Sequence, residues 1–189
     1  MTVINVGDAG TEPTIRKALA IGATDAVRVN ASPRDAHFVA RQIASYAGNN
    51  NFDLVLTGRE SIDYNGSQVA AMVGEFMGIP SVSIVKSLQV EGGNAILERE
   101  IEGGKEIIHC PLPLVVSASE GMAEPRIPNM RGIMAARTKP LTVVPAVAVN
   151  PMTTVKKFAL PPAKSACKML DVENAGQLIE LLHNEAKVI

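Results

Sequence analysis

The chain has 189 residues, enough for one domain with a substantial core and an appended arm. Hydrophobic residues make up 47% and charged residues 20%, a globular balance, while the absence of tryptophan and an aromatic content of 3% leave few platforms on which bases could stack and disfavour nucleic acid as a partner. The net charge is −1, no apolar run approaches the roughly 20 residues that cross a bilayer, and the opening MTVINVG lacks the pattern of a secretory signal, so a cytoplasmic protein without a membrane span is expected.

The first two-thirds alternate strand and helix. Thr2–Val6 is β-prone, and Thr11, Glu12 and Pro13 resemble the start of a short helix running through Thr14–Ile21. Ala26–Val29 reads as a second strand. Ser32 and Pro33 then suit the cap and first position of a helix reaching about Ala47. Asp53–Leu56 is a third strand, ending at Thr57 and Gly58. A helix from Ser67 to Met77 places Val69, Met72, Val73 and Phe76 at helical spacing and stops at Gly78-Ile79-Pro80. Ser81–Gln89 is a further strand. Such alternation predicts an α/β fold: a parallel sheet with helices on both faces.

From Glu120 onward the character changes. Residues 125–170 carry eight basic side chains and no acidic one, and residues 125–162 contain seven of the twelve prolines. Prolines at that density favour an extended arm over a basic helix for a DNA groove, so contact with protein is expected. Within the arm lie a short helical candidate, Met130–Arg137, and an apolar run, Leu141–Val149. A final helix, Asn174–Lys187, puts Leu178, Leu181 and Leu182 on one face. The division expected is therefore 1–120, an α/β domain, and 121–189, a loop and C-terminal arm.

Two loops follow strands and precede helices, where backbone amides favour anions. These are Gly7–Gly10 and the longer Gly58–Gly66, GRESIDYNG. Neither is a Walker A or dinucleotide fingerprint, so each is equally a polar turn that caps its helix. No catalytic constellation stands out: His37, His109 and His183 have no nucleophile or carboxylate beside them in a triad-like pattern. Cys110 and Cys167 form neither a metal spacing nor a disulfide framework and are expected to be inert thiols.

The stretch Leu97–Ser117, LEREIEGGKEIIHCPLPLVVS, sets two β-prone runs either side of Gly103-Gly104 and reads as a hairpin. Pro111 and Pro113 remove backbone donors, so its second strand should leave the sheet or run along its edge. The alternating Glu98, Glu100 and Glu102 share one face and suit solvent better than catalysis. The charged arm, the double glycine, Glu106 and the PLVVS exit resemble the signature of the electron transfer flavoprotein β subunit. Leu97 stands where that family has a smaller residue. The resemblance extends to EPRIPNMRGIMAARTKP, Glu124–Pro140, and to DLVLTGRESIDYNGSQV, Asp53–Val69.

The resemblance implies a Rossmann-like α/β fold that binds adenine nucleotides, and a non-enzymatic electron carrier. It would pair with an electron transfer flavoprotein α subunit, share an FAD held mainly by that subunit, and take electrons from acyl-CoA or related dehydrogenases. It implies AMP, or a second FAD at the same place, on Gly58, Arg59, Glu60, Ser61, Ile62, Asp63, Tyr64, Asn65, Gly66, Ser67, Gln68 and Val69, with Val6 contributing from the first loop. Val69 replaces a threonine of many AMP-binding relatives. It also implies a recognition loop with Met130 as apolar anchor, joined by Ile133 and Met134, and a charge-pairing role for Glu100. Ala135 and Thr138 stand where some members have lysines. A further segment before Met1 is implied, carrying a strand of the sheet, so the 1–120 domain is expected to be incomplete at its N-terminus and to expose unpaired edges. A self-contained nucleotide-binding α/β domain of stress-protein type is the alternative, and it leaves the basic arm without a task.

Overall fold

The computed structural model describes residues 1–164 and 166–189. They divide into two compact units, Met1–Thr154 and Val155–Ile189. The first contains eight strands: β1 (Thr2–Gly7), β2 (Asp25–Asn30), β3 (Leu54–Gly58), β4 (Ser81–Glu91), β5 (Asn94–Ile101), β6 (Gly104–Pro111), β7 (Leu114–Ala118) and β8 (Leu141–Pro145). Its helices are α1 (Glu12–Ala20), α2 (Ala36–Gly48), α3 (Val69–Met77) and α4 (Met130–Ala136).

The expected sheet is divided. A three-stranded parallel sheet has the order β1-β2-β8, and a five-stranded mixed sheet the order β3-β7-β4-β5-β6. Among the described residues β1 pairs only with β2 and β3 only with β7, so each presents one open edge. Helices lie on both faces of the smaller sheet. Val3, Ala26 and Leu141 point to the side of Ile15, Leu19 and Ala136, from α1 and α4. Ile4, Val6, Val29 and Val144 point to Phe38, Val39 and Ile43 of α2. This is the period-2 alternation of strands buried on both sides. In the larger sheet Val55 and Val115 meet α2 and α3. The opposite face is closed without a helix, by Val82, Val85, Ala95, Leu97, Leu114 and Val116 together with Leu88, Leu112 and Met122.

The strands β4, β5 and β6 form two successive hairpins. Their turns are Gly92-Gly93, both at positive φ, and Glu102-Gly103, with Gly103 at φ +82°. Only the second was expected. β6 is indeed an edge strand, whereas the chain after Pro113 does not leave: β7 returns as an inner strand between β3 and β4, and its first four residues are buried. The run LVVS is apolar enough to be covered on both faces, and that burial outweighs the two prolines beside it. Leu97 is fully buried against Val85, Ala95 and Leu114, and its burial is worth about 1.5–3 kcal/mol.

One helix start agrees with expectation and two differ. α1 begins at Glu12, with Thr11 before it and Pro13 in its first turn, after a single 3-10 turn at Ala9–Thr11. The cap of α2 is Asp35, not Ser32, because its carboxylate reaches the Phe38 amide at 2.7 Å and Pro33 is left outside the helix. α3 begins at Val69, and Gln68 at its N-cap makes no side-chain bond.

The boundary expected at residue 120 falls inside the first unit. β8 completes the three-stranded sheet by pairing in parallel with β2. Beyond it the chain is strapped to α2. Buried Gln42 donates to the Val147 carbonyl at 2.9 Å and accepts from its amide at 2.8 Å. Asp35 accepts from the Met152 and Thr153 amides at 2.6 and 2.8 Å. The second unit, Val155–Ile189, is compact in itself. It contains a 3-10 turn at Val172–Asn174, α5 (Ala175–Glu180) and π-helical turns at Leu181–Ala186. In it Lys168 faces Glu185 at 3.8 Å, His183 Nδ1 lies 3.0 Å from the Ile189 carbonyl, and Cys167 is exposed whereas Cys110 of the first unit is buried.

Partial burial works against the charged form of Asp35, but the amides of Phe38, Thr153 and Met152 and the neighbouring His37 outweigh it and hold its carboxyl below the ordinary value. A lowered carboxylate pKa contributes stability above the unfolded value, about 4, that is lost as pH falls through the folded one. Acidification below about pH 4 should therefore release residues 152–153 from α2. NMR tracking of the Thr153 amide should show a titration in that range, and Asp35→Asn should abolish it.

Candidate functional site

Gly58 ends β3, and residues Arg59–Gln68 form a wholly exposed loop leading into α3. The loop is held by its own backbone and side chains. The Tyr64 and Asn65 amides donate to the Ser61 carbonyl at 3.3 and 2.8 Å. With its oxygen and nitrogen exchanged, the orientation that satisfies both ends of the amide, Asn65 donates to the carbonyls of Ile62 and Ser61 at 3.2 and 3.1 Å. Asn65 and Ser67 adopt left-handed conformations, with φ of 47° and 50°, which asparagine tolerates better than most residues. Ser67 does not cap α3; its hydroxyl instead donates to Glu60 at 2.7 Å, and Glu60 also faces Arg59 at 3.5 Å.

The consequence lies at the start of α3. Asp35 caps α2, and Asn129 caps α4 through the Gly132 amide at 2.8 Å. The first turn of α3 has no such side-chain acceptor, so its amides face outward with the positive end of the helix dipole. Around them the loop offers Arg59, already facing Glu60, and Asp63, which is negative. An anion here would draw on the α3 amides more than on side-chain charge. Gly66 matters for access: a Cβ built on it meets nothing within 4 Å. Ile62 and Tyr64 of the same loop are 95% and 68% exposed.

The ends of the expected stretch behave differently. Val69 packs with the cluster of Ala70, Val73 and Val115, so its side chain belongs to the core. Val6 is buried against Val29 and Phe38, which leaves its backbone as the group available to a ligand. It stands on β1, in the other sheet from β3. The adjoining loop is rigidified by Asp8, which accepts from the Gly10 amide at 2.8 Å, and by Thr11, which donates to Asn5 at 2.8 Å. Arg28 was missed by the sequence reading. Only 5% exposed, it donates to the Gly7 carbonyl at 3.0 Å, to Asn30 at 2.8 Å and to Glu12 at 3.2 Å, and so braces the end of β1. The available signal was a charge in the middle of the apolar strand DAVRVN.

The second group of expected residues is gathered on α4. Met130, Ile133 and Met134 are 74%, 40% and 56% exposed, so none of them is a core residue. Ile127, just before the helix, is exposed too. Glu100 lies apart, on β5, paired with Lys86 of β4. Its neighbours are paired as well, Glu98 with Lys105 at 3.0 Å and Arg99 with Glu106 at 2.6 Å. Glu102 lies in the hairpin turn beyond β5, outside the shared strand face expected for the three glutamates.

A cavity of about 480 Å³ lies elsewhere, lined by His37, Arg41, Phe76 and Val147–Val149. The Arg41 guanidinium stands 3.9 Å above the Phe76 ring, and His37 meets that ring edge-on. Among the described residues no group of His, Cys, Asp or Glu could hold a metal ion, and no helix is long and apolar enough to cross a membrane.

Parallel strands joined by helices, with a long loop at the carboxyl end of a strand, define an α/β protein of Rossmann-like type. Residues 1–149 match the electron transfer flavoprotein domain. The whole chain aligns at 35% identity with 79% of the electron transfer flavoprotein subunit beta of Bacillus subtilis, and at 33% with 76% of that of Syntrophomonas wolfei. The Sus scrofa subunit beta is 35% identical over 76% of the chain and 58% of its own length. The chain belongs to the electron transfer flavoprotein β-subunit family. Its function is that of an electron transfer flavoprotein, a carrier of electrons and not an enzyme, and the subunit designation implies an α partner.

Proposed function

We propose that this chain works in the cytoplasm as the β subunit of a heterodimer with an α subunit, and that electrons from acyl-CoA or related dehydrogenases pass through it to a downstream acceptor. The chemistry would be supplied by FAD, held mainly on the α side; the residues of this chain provide placement and electrostatics. Membership of the family supports this reading.

The Gly58–Gln68 loop is proposed to bind AMP, or a second FAD in the same place, with the phosphate on the α3 amides. The observation that carries it is the uncapped start of α3 beneath an exposed, internally braced loop. Because nothing in the protein opposes a side chain at Gly66, Gly66→Val should leave the melting temperature nearly unchanged. It should weaken nucleotide binding about tenfold or more, about 1.4 kcal/mol. The measurement is nucleotide released by acid from the purified heterodimer. Parent levels of AMP or FAD in the variant would take this loop out of the site.

Met130, Ile133 and Met134 are proposed to dock on the dehydrogenase. Methionine adapts to an apolar groove at low strain, and an anchor of this kind is worth about 2 kcal/mol or more, some 30-fold in affinity. Met130→Ala should raise the dehydrogenase concentration needed for half-maximal transfer by about that factor, with flavin content and melting unchanged. A fall in melting temperature with unaltered transfer would contradict docking.

The second unit is proposed to grip the α subunit. Of the expected stripe Leu178 is 48% exposed and Leu181 and Leu182 are half-buried, while Ile179, Phe158, Leu160 and Met169 are exposed also. Burying each large apolar side chain is worth about 1.5–3 kcal/mol, a strong incentive for a partner to cover them. Deleting Asn174–Ile189 should weaken α-subunit binding, measured by titration calorimetry, while the first unit melts as before. Unchanged binding would mean that the terminal helix has another role.

A further inference from the structure

α4 has only seven residues, too few to persist as a helix in water without tertiary support. Its two faces are divided. Met130, Ile133 and Met134 look outward, while Gly132 and Ala136, four residues apart, face α1. The approach is close: a Cβ on Gly132 would stand 2.4 Å from the Ala20 carbonyl oxygen. Ala136 is buried among Ile15, Leu19 and Ala23.

Two cations lock this arrangement reciprocally. Arg16 of α1 donates to the carbonyls of Ala136 and Lys139, both at 2.7 Å, at the end of α4. Lys139, three residues past α4, donates to the Leu19 carbonyl in the last turn of α1 and to the Ala23 carbonyl just after it. The last carbonyls of a helix have no partner within it and carry the negative end of its dipole, so Arg16 satisfies Ala136 at the end of α4, and Lys139 satisfies Leu19 at the end of α1. The Asn129 cap holds the other end of α4. All these groups act on the backbone and leave the outer face free.

We propose that Arg16, Lys139 and Gly132 are positioning residues for partner recognition: they hold α4 rigid before docking, so that Met130, Ile133 and Met134 are presented in binding-ready form. The inference rests on the docking reading of that face. A partner that selects one conformation binds more weakly in proportion to the fraction that adopts it, so loosening α4 should reduce affinity and leave the transfer step alone.

The test uses the assembled heterodimer, an acyl-CoA dehydrogenase with its acyl-CoA substrate, and amide hydrogen exchange across residues 130–137. Lys139→Met removes one half of the lock; Gly132→Ala forces the helices apart while keeping both cations. Each should accelerate exchange in α4 and raise the dehydrogenase KM by about tenfold with kcat within about twofold, and Lys139→Arg should restore both. Unchanged exchange in α4 would overturn the lock. Faster exchange with an unchanged KM, where Met130→Ala does raise KM, would overturn its role in recognition. If Met130→Ala has no effect on KM, the docking reading itself has failed, and with it the recognition role, while the exchange result still decides whether the lock exists.

Discussion

The packing of α2 is the constraint on which the rest of the molecule depends. Among the described residues the two sheets share no hydrogen-bonded ladder, yet α2 contributes to the core of both. Phe38 and Val39 meet the three-stranded sheet, Ala40 and Ala44 pack with α3 over the larger one, and Ile43 touches both clusters. Two small alanines let α3 approach closely, and the aromatic Phe38 fills the space over Val6 and Val29. The polar groups of the same helix hold the chain after β8. Gln42 is buried with both ends of its amide satisfied, and Asp35 spends one oxygen on its own helix and the other on residues 152–153.

The two exposed elements to which function is assigned are built on different physical grounds. The Gly58–Gln68 loop is local: every bond that shapes it comes from within ten residues, and its geometry follows from turn chemistry. The face on α4 is tertiary, because that helix is short and takes its place from α1 across more than a hundred residues of sequence. Alteration of the loop should therefore be felt at the loop, whereas the α4 face should also respond to changes in α1 that never touch a partner.

The hairpin charges make a useful contrast. Glu98, Glu100, Lys86, Lys105, Arg99 and Glu106 are all paired across neighbouring strands. Such exposed pairs contribute little stability, roughly 0–1 kcal/mol each, but they fix register and deter edge-to-edge association at β6. Glu100 is thus engaged within its own sheet, and a partner that used its charge would have to compete with Lys86.

The alternation of β-prone runs and helical spacing determined the order of the elements, because each period reports a face buried locally. The hairpin at Gly103, the helix at Met130–Arg137 and the loop Gly58–Gly66 were legible for the same reason: turn glycines and apolar spacing act within a few residues. The division into two sheets, the return of β7 to an inner position and the pairing of β8 with β2 are long-range pairings that no local signal records. Proline density in particular made residues 125–154 look like an arm, although apolar Leu141–Val144 completes a sheet. Arg28 and the Arg16–Lys139 lock were hidden because the groups each cation bonds are brought to it from distant parts of the sequence. Sequence alone determined which segments could be strands, helices and turns; tertiary structure decided which open edges, helix ends and apolar faces remained for partners, since each of those is what packing leaves uncovered.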